Sequence, residues 1–376
     1  METTVRLKSV VMAHPAREAY ARGLAHSLGF DRVVLDPDPG AGPAPLRTAL
    51  VAWSTFPVDG THQILVQDDV AAEPILPELA VAVRSHPDSV IALYANWDSR
   101  NGAMVRLAAL AGASWAEAVP EEYFPTLAVV MPAGLAAAFV AHARSMDHGL
   151  DDEALSSFVR ASGCRALITV PNLFEHLGDA SLVGNDSQGM RRAACYTAAP
   201  DAAGRLAGGW TLTGVPFLPY MRFGLSHLLL DHDSGGIRRR EHLLWGDALS
   251  AASSPVVDRV SALAERRYSA QGWKEVARLF GDGLGRELWI HCLLLGWQVE
   301  SIVRQRSPED TAPFTVEEWL TDPVRRIAVS TIGPAALDAR FRNALTGPQR
   351  NLLTAYAAAA LSHGVSLQPA DVPGHV

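Results

Sequence analysis

Two aspartates stand side by side, Asp68 and Asp69, directly after the run Gln63-Ile64-Leu65-Val66-Gln67. A strand this apolar is buried, so both carboxylates lose hydration at its end and repel each other. Two compensations are open. A divalent cation such as Mg2+ or Mn2+ prefers oxygen ligands and bridges phosphates, which would make the pair a holder for a diphosphate. Alternatively, the pair lies on an exposed loop and caps the helix that follows. A second feature is the segment 169–184, in which a strand runs into a loop carrying Glu175, His176 and Asp179. Neutral imidazole is a good further ligand for a first-row metal, and a loop histidine bonded to backbone is the plainer reading. The third is Asp147-His148-Gly149-Leu150-Asp151-Asp152-Glu153 at a helix start. Carboxylates there are favoured by the helix dipole and by capping, and one of them aimed at an acceptor hydroxyl would serve as a general base.

These residues need a scaffold, and the first half of the chain reads as one. Strand patterns at residues 7–12, 32–35, 63–66 and 89–94 alternate with helix patterns at 16–28, 46–53 and 75–85. Further strands are expected at 115–119, 127–130 and 165–170, with helices at 133–144 and 151–161. Alternation of this kind predicts an α/β fold with a mainly parallel sheet covered by helices on both faces. Ligands then lie at the carboxyl ends of the strands, where Asp36, Asp68 and Asp69 fall. After about residue 185 the texture changes, with a Gly-rich irregular stretch at 203–214. Helical patterns follow at 243–251, 256–268, 273–280, 286–305, 316–320, 335–344 and 348–363, and the tail after Ser366 reads as loose. The expected division is a catalytic domain over 1–190, an irregular connection over 191–240 and a mainly α-helical C-terminal domain over 241–376.

Taken together and in this order, the three features resemble the glycosyltransferases of the GT-A fold, which transfer sugars from nucleotide-sugar donors. The resemblance covers residues 5–190. It rests on Ala13-His14-Pro15-Ala16-Arg17 after the opening strand, Asp36 after the second, the Gln67-Asp68-Asp69 run, the Asp151-Asp152-Glu153 helix start and the stretch from Val170 to Gly178. It implies a GT-A-like, Rossmann-like domain. It also implies Mn2+ or Mg2+ on Asp69 and His176, with Asp68 shared between metal and donor. A nucleoside-diphosphate sugar, UDP-sugar favoured, would be bordered by His14, Pro15 and Arg17, with Asp36 on its base or ribose. Asp152 would be the general base and Asp151 the alternate, with inversion at the anomeric carbon. Asn96, Trp97, Asp98 and Arg100 would line the sugar or acceptor side, although Trp97 reads equally well as packing.

Composition bounds the alternatives. The 376 residues carry 32 Lys and Arg against 40 Asp and Glu, a formal charge of −8. That balance argues against non-specific nucleic-acid binding, which needs a cationic surface. Cys164, Cys195 and Cys292 are widely spaced and odd in number, so zinc and a disulfide framework are not expected. No signal peptide or membrane span is read, and a cytoplasmic protein is expected. The acceptor would then be soluble: a small metabolite, a natural product, a peptide or a protein side chain. In the second half, Asp231-His232-Asp233 reads as an exposed loop and Arg238-Arg239-Arg240 as a solvated face. The tryptophans there read as core, and the helical half as shaping an acceptor site or a homo-oligomer interface. Two competing functions remain. A sugar nucleotidyltransferase would want a glycine in the 14–17 loop, which has none. A non-catalytic nucleotide- or partner-binding protein would not release sugar from a donor.

Overall fold

The structure, a computed structural model, describes residues 4–42, 44–55, 59–146, 150–177, 189–199, 202, 204–215, 217–222, 224–234, 237–244, 274–306 and 315–367. For 230–234, 237–244, 316 and 319 it describes the backbone alone. The expected helices at 256–268 and over most of 243–251, together with Asp147, His148, Gly149, Trp245, Trp273 and nearly all of the tail, lie outside the described residues. Two compact units emerge, 1–96 with 113–212 and 97–112 with 213–376. This division differs from the expected one. The first unit extends past 190 to 212, and a short excursion, 97–112, belongs to the second.

In chain order the elements of the first half are β1 (Leu7–Ala13), α1 (Glu18–Leu28), β2 (Arg32–Leu35), α2 (Pro45–Ser54), β3 (His62–Gln67), β4 (Val70–Ala71), α3 (Leu76–Val83) and β5 (Val90–Ala92). Then come α4 (Arg100–Ala111), β6 (Trp115–Glu117), β7 (Ala128–Pro132), α5 (Ala133–Ala143), α6 (Asp151–Ser162), β8 (Ala166–Thr169), β9 (Glu175–His176) and β10 (Thr211–Leu212). An eight-stranded, mostly parallel sheet runs in the order β10-β6-β8-β5-β7-β3-β1-β2. β1 is parallel to β2 and β3, and β5 to β8. β7 is antiparallel to both β3 and β5, which leaves β3 and β5 running the same way. The carboxyl ends of β1, β2, β3, β5 and β8 therefore share one edge, and the segments at 14–17, 36, 68–69, 93–96 and 170–176 all leave from it. The central strands are buried on both faces: Val10, Val11, Ile64, Val66, Ile91, Val130 and Leu167 are fully enclosed. Such strands read as continuous apolar runs, which is why they were legible.

The second unit holds α4 and a three-stranded antiparallel sheet of β11 (Phe217–Arg222), β12 (Leu225–Ser234) and β13 (Ile237–Leu244). It continues with α7 (Lys274–Phe280), α8 (Asp282–Arg306), α9 (Val316–Thr321), α10 (Pro323–Ala336), α11 (Ala339–Asn343) and α12 (Gly347–Val365). Three expectations are corrected here. The segment 191–240 is not simply irregular, because most of this sheet lies in it. Asp231-His232-Asp233 is not a loop but part of a strand facing the one that carries Arg238-Arg239-Arg240, with Asp231 opposite Arg240 and Asp233 opposite Arg238 in the register. The helix expected at 335–344 is two pieces, α10 and α11, broken at Leu337 and Asp338. Among the described residues no helix is long and apolar enough to cross a membrane.

α8 and α12 cross with their backbones touching. A Cβ on Gly296 would fall on the Leu361 carbonyl, and one on Gly364 on the Leu293 carbonyl. Gly23, on the exposed side of α1, has nothing near its missing Cβ. Gly364→Ala is therefore expected to lower stability by about 1–3 kcal/mol, as overpacking does. Gly23→Ala should raise it by roughly 0.5–1 kcal/mol through helix propensity. Melting curves of the two variants measure both, and an unchanged melting point for Gly364→Ala would contradict the close crossing.

Candidate active site

The site grows from the end of β3. Ile64 and Val66 are fully buried, and the strand delivers Asp68, itself buried, and Asp69 to the sheet's carboxyl edge. Arg17 meets them there. Its Nη1 lies 3.3 Å from Asp68 Oδ1 and 3.9 Å from Asp69 Oδ2. Arg17 is held by a short 3-10 turn, Pro15–Arg17, whose first position suits proline's fixed φ. The His14 ring caps this turn through Nδ1, which accepts from the Ala16 N–H at 3.1 Å, and the Arg17 N–H donates to the His14 carbonyl at 2.8 Å.

His176 comes back to the same point from far along the chain. β4 and β9 form a two-residue antiparallel ribbon with Val70 opposite His176, and the Leu177 N–H donates to the Asp69 carbonyl at 2.9 Å. The ribbon places His176 Nε2 3.3 Å from Asp69 Oδ2. Glu175 fixes the ribbon from the other side, since its Oε1 accepts from the N–H groups of His176 at 2.9 Å and Ala193 at 2.7 Å. Burial raises the Glu175 carboxyl above its ordinary range.

The second acid pair starts α6. The Gln67 side chain donates to Asp151 Oδ2 at 3.0 Å, so the residue before the first pair holds the second. Asp151 is enclosed, and burial, followed by the neighbouring charge of Asp152, pushes its carboxyl up to about 6. Asp152 is less buried, with one oxygen accepting from the Glu153 N–H at 2.8 Å. Burial raises its carboxyl too, opposed in part by the charge of Arg191. Tyr94 anchors the Arg191 backbone, its hydroxyl donating to the Arg191 carbonyl at 2.6 Å.

The two aspartates of the first pair differ sharply. Burial, then the charge of Asp69, pushes Asp68 up to about 6. Burial also works against Asp69, but His176 and then Arg17 outweigh it and hold that carboxyl below its ordinary value. Of the two, Asp69 is the more acidic.

Asp36 lies apart from this cluster. Both its oxygens are taken by Arg47, through Nε and Nη2 at 2.7 Å each, and that hydrogen bonding lowers its carboxyl. It is near enough to His14 to feel its charge, but its side chain is already committed, which the expectation of a base or ribose contact did not foresee. Asn96 is buried beyond the end of β5 and bridges to Ala193, which places it on the carboxyl edge as expected. Sequence reading gave no role to Arg47, Tyr94 or Arg191, and quoted Gln67 only as part of a run. Gln67, standing polar between an apolar strand and the acid pair, was the one signal available.

The donor chemistry suits Mn2+ or Mg2+. Asp68 Oδ2, Asp69 Oδ1 and His176 Nδ1 are buried without a hydrogen-bond partner among the described residues. Yet among the described residues no group of three or more His, Cys, Asp or Glu is arranged to hold a metal ion. Among the described residues, the guanidinium within ion-pair distance of both carboxylates is that of Arg17.

Asp151 yields a test. The carboxyl has an ordinary value of 3.8 and sits at about 6 when folded, so between those values the folded chain holds a proton the unfolded chain has released. Stability therefore falls as pH rises through that window and stays lower above it. Asp151→Asn keeps an oxygen for Gln67 and removes the penalty. Above pH 7 it should be more stable than wild type by on the order of 2 kcal/mol, with the two curves meeting below about pH 4. A variant less stable than wild type at pH 7.5 would show that the charge is structurally required.

No known family profile matches this chain, and no curated protein matches it either, so the geometry of the site is the ground on which its function is argued.

Proposed function

We propose that the chain is a glycosyltransferase of the GT-A type. It would move a sugar from a nucleoside-diphosphate sugar, UDP favoured, to a hydroxyl of a soluble small-molecule, natural-product or peptide acceptor. One arrangement carries the reading. A carboxylate pair ends β3 at the carboxyl edge of the sheet, a late histidine is returned to it by the β4–β9 ribbon, and a second acid pair at the start of α6 is bonded to it through Gln67. The ligand edge of an open α/β sheet is where a nucleotide lies.

The reaction uses these residues in separate roles. The acceptor oxygen attacks the anomeric carbon as the bond from that carbon to the diphosphate oxygen breaks. The nucleoside diphosphate leaves with the bonding electrons, and Asp152 takes the hydroxyl proton. Asp152 suits this role better than Asp151, because Asp151 is enclosed and bonded by Gln67 whereas Asp152 reaches solvent. A single base on this side implies inversion at the anomeric centre. Arg17 is the chain's own cation beside the carboxylate pair and would meet the leaving diphosphate. When bound, Mn2+ or Mg2+ would be held by Asp69, Asp68 and His176 and would supply further compensation for that leaving charge.

A panel of nucleoside diphosphates with and without Mn2+, read by thermal shift, tests the reading. One base should raise the melting point, and Asp69→Ala should abolish the rise. Asp152→Asn should keep that binding and lose roughly 10²- to 10⁴-fold in donor turnover, the usual contribution of a general base. No shift with any nucleotide would overturn the proposal.

A further inference from the structure

An aspartate at the start of a helix ordinarily faces water, with its charge near the free N–H groups of the first turn. Asp151 is buried instead. It packs among Trp53, Leu65, Phe139 and Leu155, and its carboxylate meets Thr126 and the Gln67 amide, whose Nε2 lies 3.0 Å from Oδ2. The turn that Asp151 belongs to has no side-chain cap, because Leu150 stands at the N-cap position of α6. What ties this turn to the sheet is the inward carboxylate. Gln67 holds the other end on a fixed backbone: it pairs with Met12 of β1, and its N–H donates to the Leu127 carbonyl at 2.9 Å. Its Nε2 also lies 3.5 Å from Thr126 Oγ1. Asp68 follows Gln67 and Asp152 follows Asp151, so one hydrogen bond joins the residues that immediately precede both sides of the site.

We propose that Gln67 is a positioning residue: its amide latches the first turn of α6 to the end of β3, and so sets where Asp152 stands relative to Asp68 and Asp69. The consequence for catalysis rests on the transferase reading, in which Asp152 takes the acceptor's proton while the acids after β3 serve the donor. A general base works only within hydrogen-bond reach of the proton it removes, so the fold has to fix the distance between base and donor. An amide suits the task, since it donates to Asp151 without adding charge beside Asp68 and Asp69. Leucine at 67 would fill the space without a donor, and glutamate would set one carboxylate against another.

Hydrogen exchange of the full chain tests the latch, and steady-state kinetics with a panel of UDP-sugars, read as released UDP, test its consequence. The Ala154 N–H donates to the Leu150 carbonyl and is the first amide that α6 itself protects. In Gln67→Leu the amides of Ala154 and Leu155 should exchange about tenfold or more faster than in wild type. The kcat should fall by roughly tenfold to a hundredfold, as it does when a reacting group is slightly misplaced, while the donor KM and the thermal shift with UDP stay near wild type. Gln67→Glu should lose at least as much. Gln67→Glu combined with Asp151→Asn keeps the bond with its direction reversed, at unchanged net charge, and should recover most of the lost kcat and protection. If Gln67→Leu melts early, Gln67→Leu combined with Asp151→Asn replaces it, because that pair leaves no buried charge unanswered, and it should show the same losses. Unchanged exchange at Ala154 and Leu155 would overturn the proposal. So would a wild-type kcat in Gln67→Leu, a loss confined to the donor KM, or a reversed pair no better than Gln67→Glu. No release of UDP by wild type would count against the transferase reading instead, and exchange, which needs no donor, would then decide the latch.

Discussion

Charge placed at the end of an apolar strand has to be answered nearby, because neither water nor distance is there to weaken it. β3 ends in two such charges, and much of the surrounding structure can be traced to them. The turn after β1 carries an arginine to their side. The β4–β9 ribbon brings an imidazole against Asp69 from more than a hundred residues away in the chain. Glu175 ties that ribbon to the backbone at Ala193, so the histidine is fixed by a strand pairing rather than by its own rotamer. Even the helix that supplies the second acid pair is attached to the first through Gln67.

Environment, more than residue type, separates the four aspartates. Asp69 faces both an imidazole and a guanidinium, which hold its carboxyl below the ordinary value against burial. Asp68 shares the guanidinium, but burial and then its neighbour's charge raise its carboxyl. Asp151 is enclosed and serves as an acceptor for Gln67, whereas Asp152, one residue on, turns toward solvent and Arg191. A pair of titratable groups driven apart in this way is the usual basis for dividing labour among like residues.

The sequence was most readable where one physical rule acted alone. Buried strands show as apolar runs, and β1, β2, β3, β5, β6, β7 and β8 were found from such runs, whereas the two-residue strands β4, β9 and β10 are too short to show a pattern and were missed. α4 was missed because eleven of its twelve residues are buried, so it has no polar face to reveal a helical period. From their charges, Asp231-His232-Asp233 of β12 was read as a loop and Arg238-Arg239-Arg240 of β13 as a solvated face. Their backbone pairs in register, with Asp231 opposite Arg240 and Asp233 opposite Arg238, so the charges there did not mark a break in the strands. Arg17 and Asp68 are 51 positions apart, and nothing local in either segment announces that they meet. Asp36 was legible as the polar end of a strand but not as the partner of Arg47, for which a folded helix start was needed.

The crossing of α8 and α12 has a consequence of a different kind. When two side chains collide, either partner can shrink, and a second substitution can undo the first. At Gly296 and Gly364 the obstacle is a carbonyl of the opposite helix, which every residue type carries. No replacement at Leu361 or Leu293 makes room, so a larger residue at either glycine has no suppressor across the interface. Sequence drift can repack the side chains around this crossing, but the two positions that define it have no neighbouring route of escape.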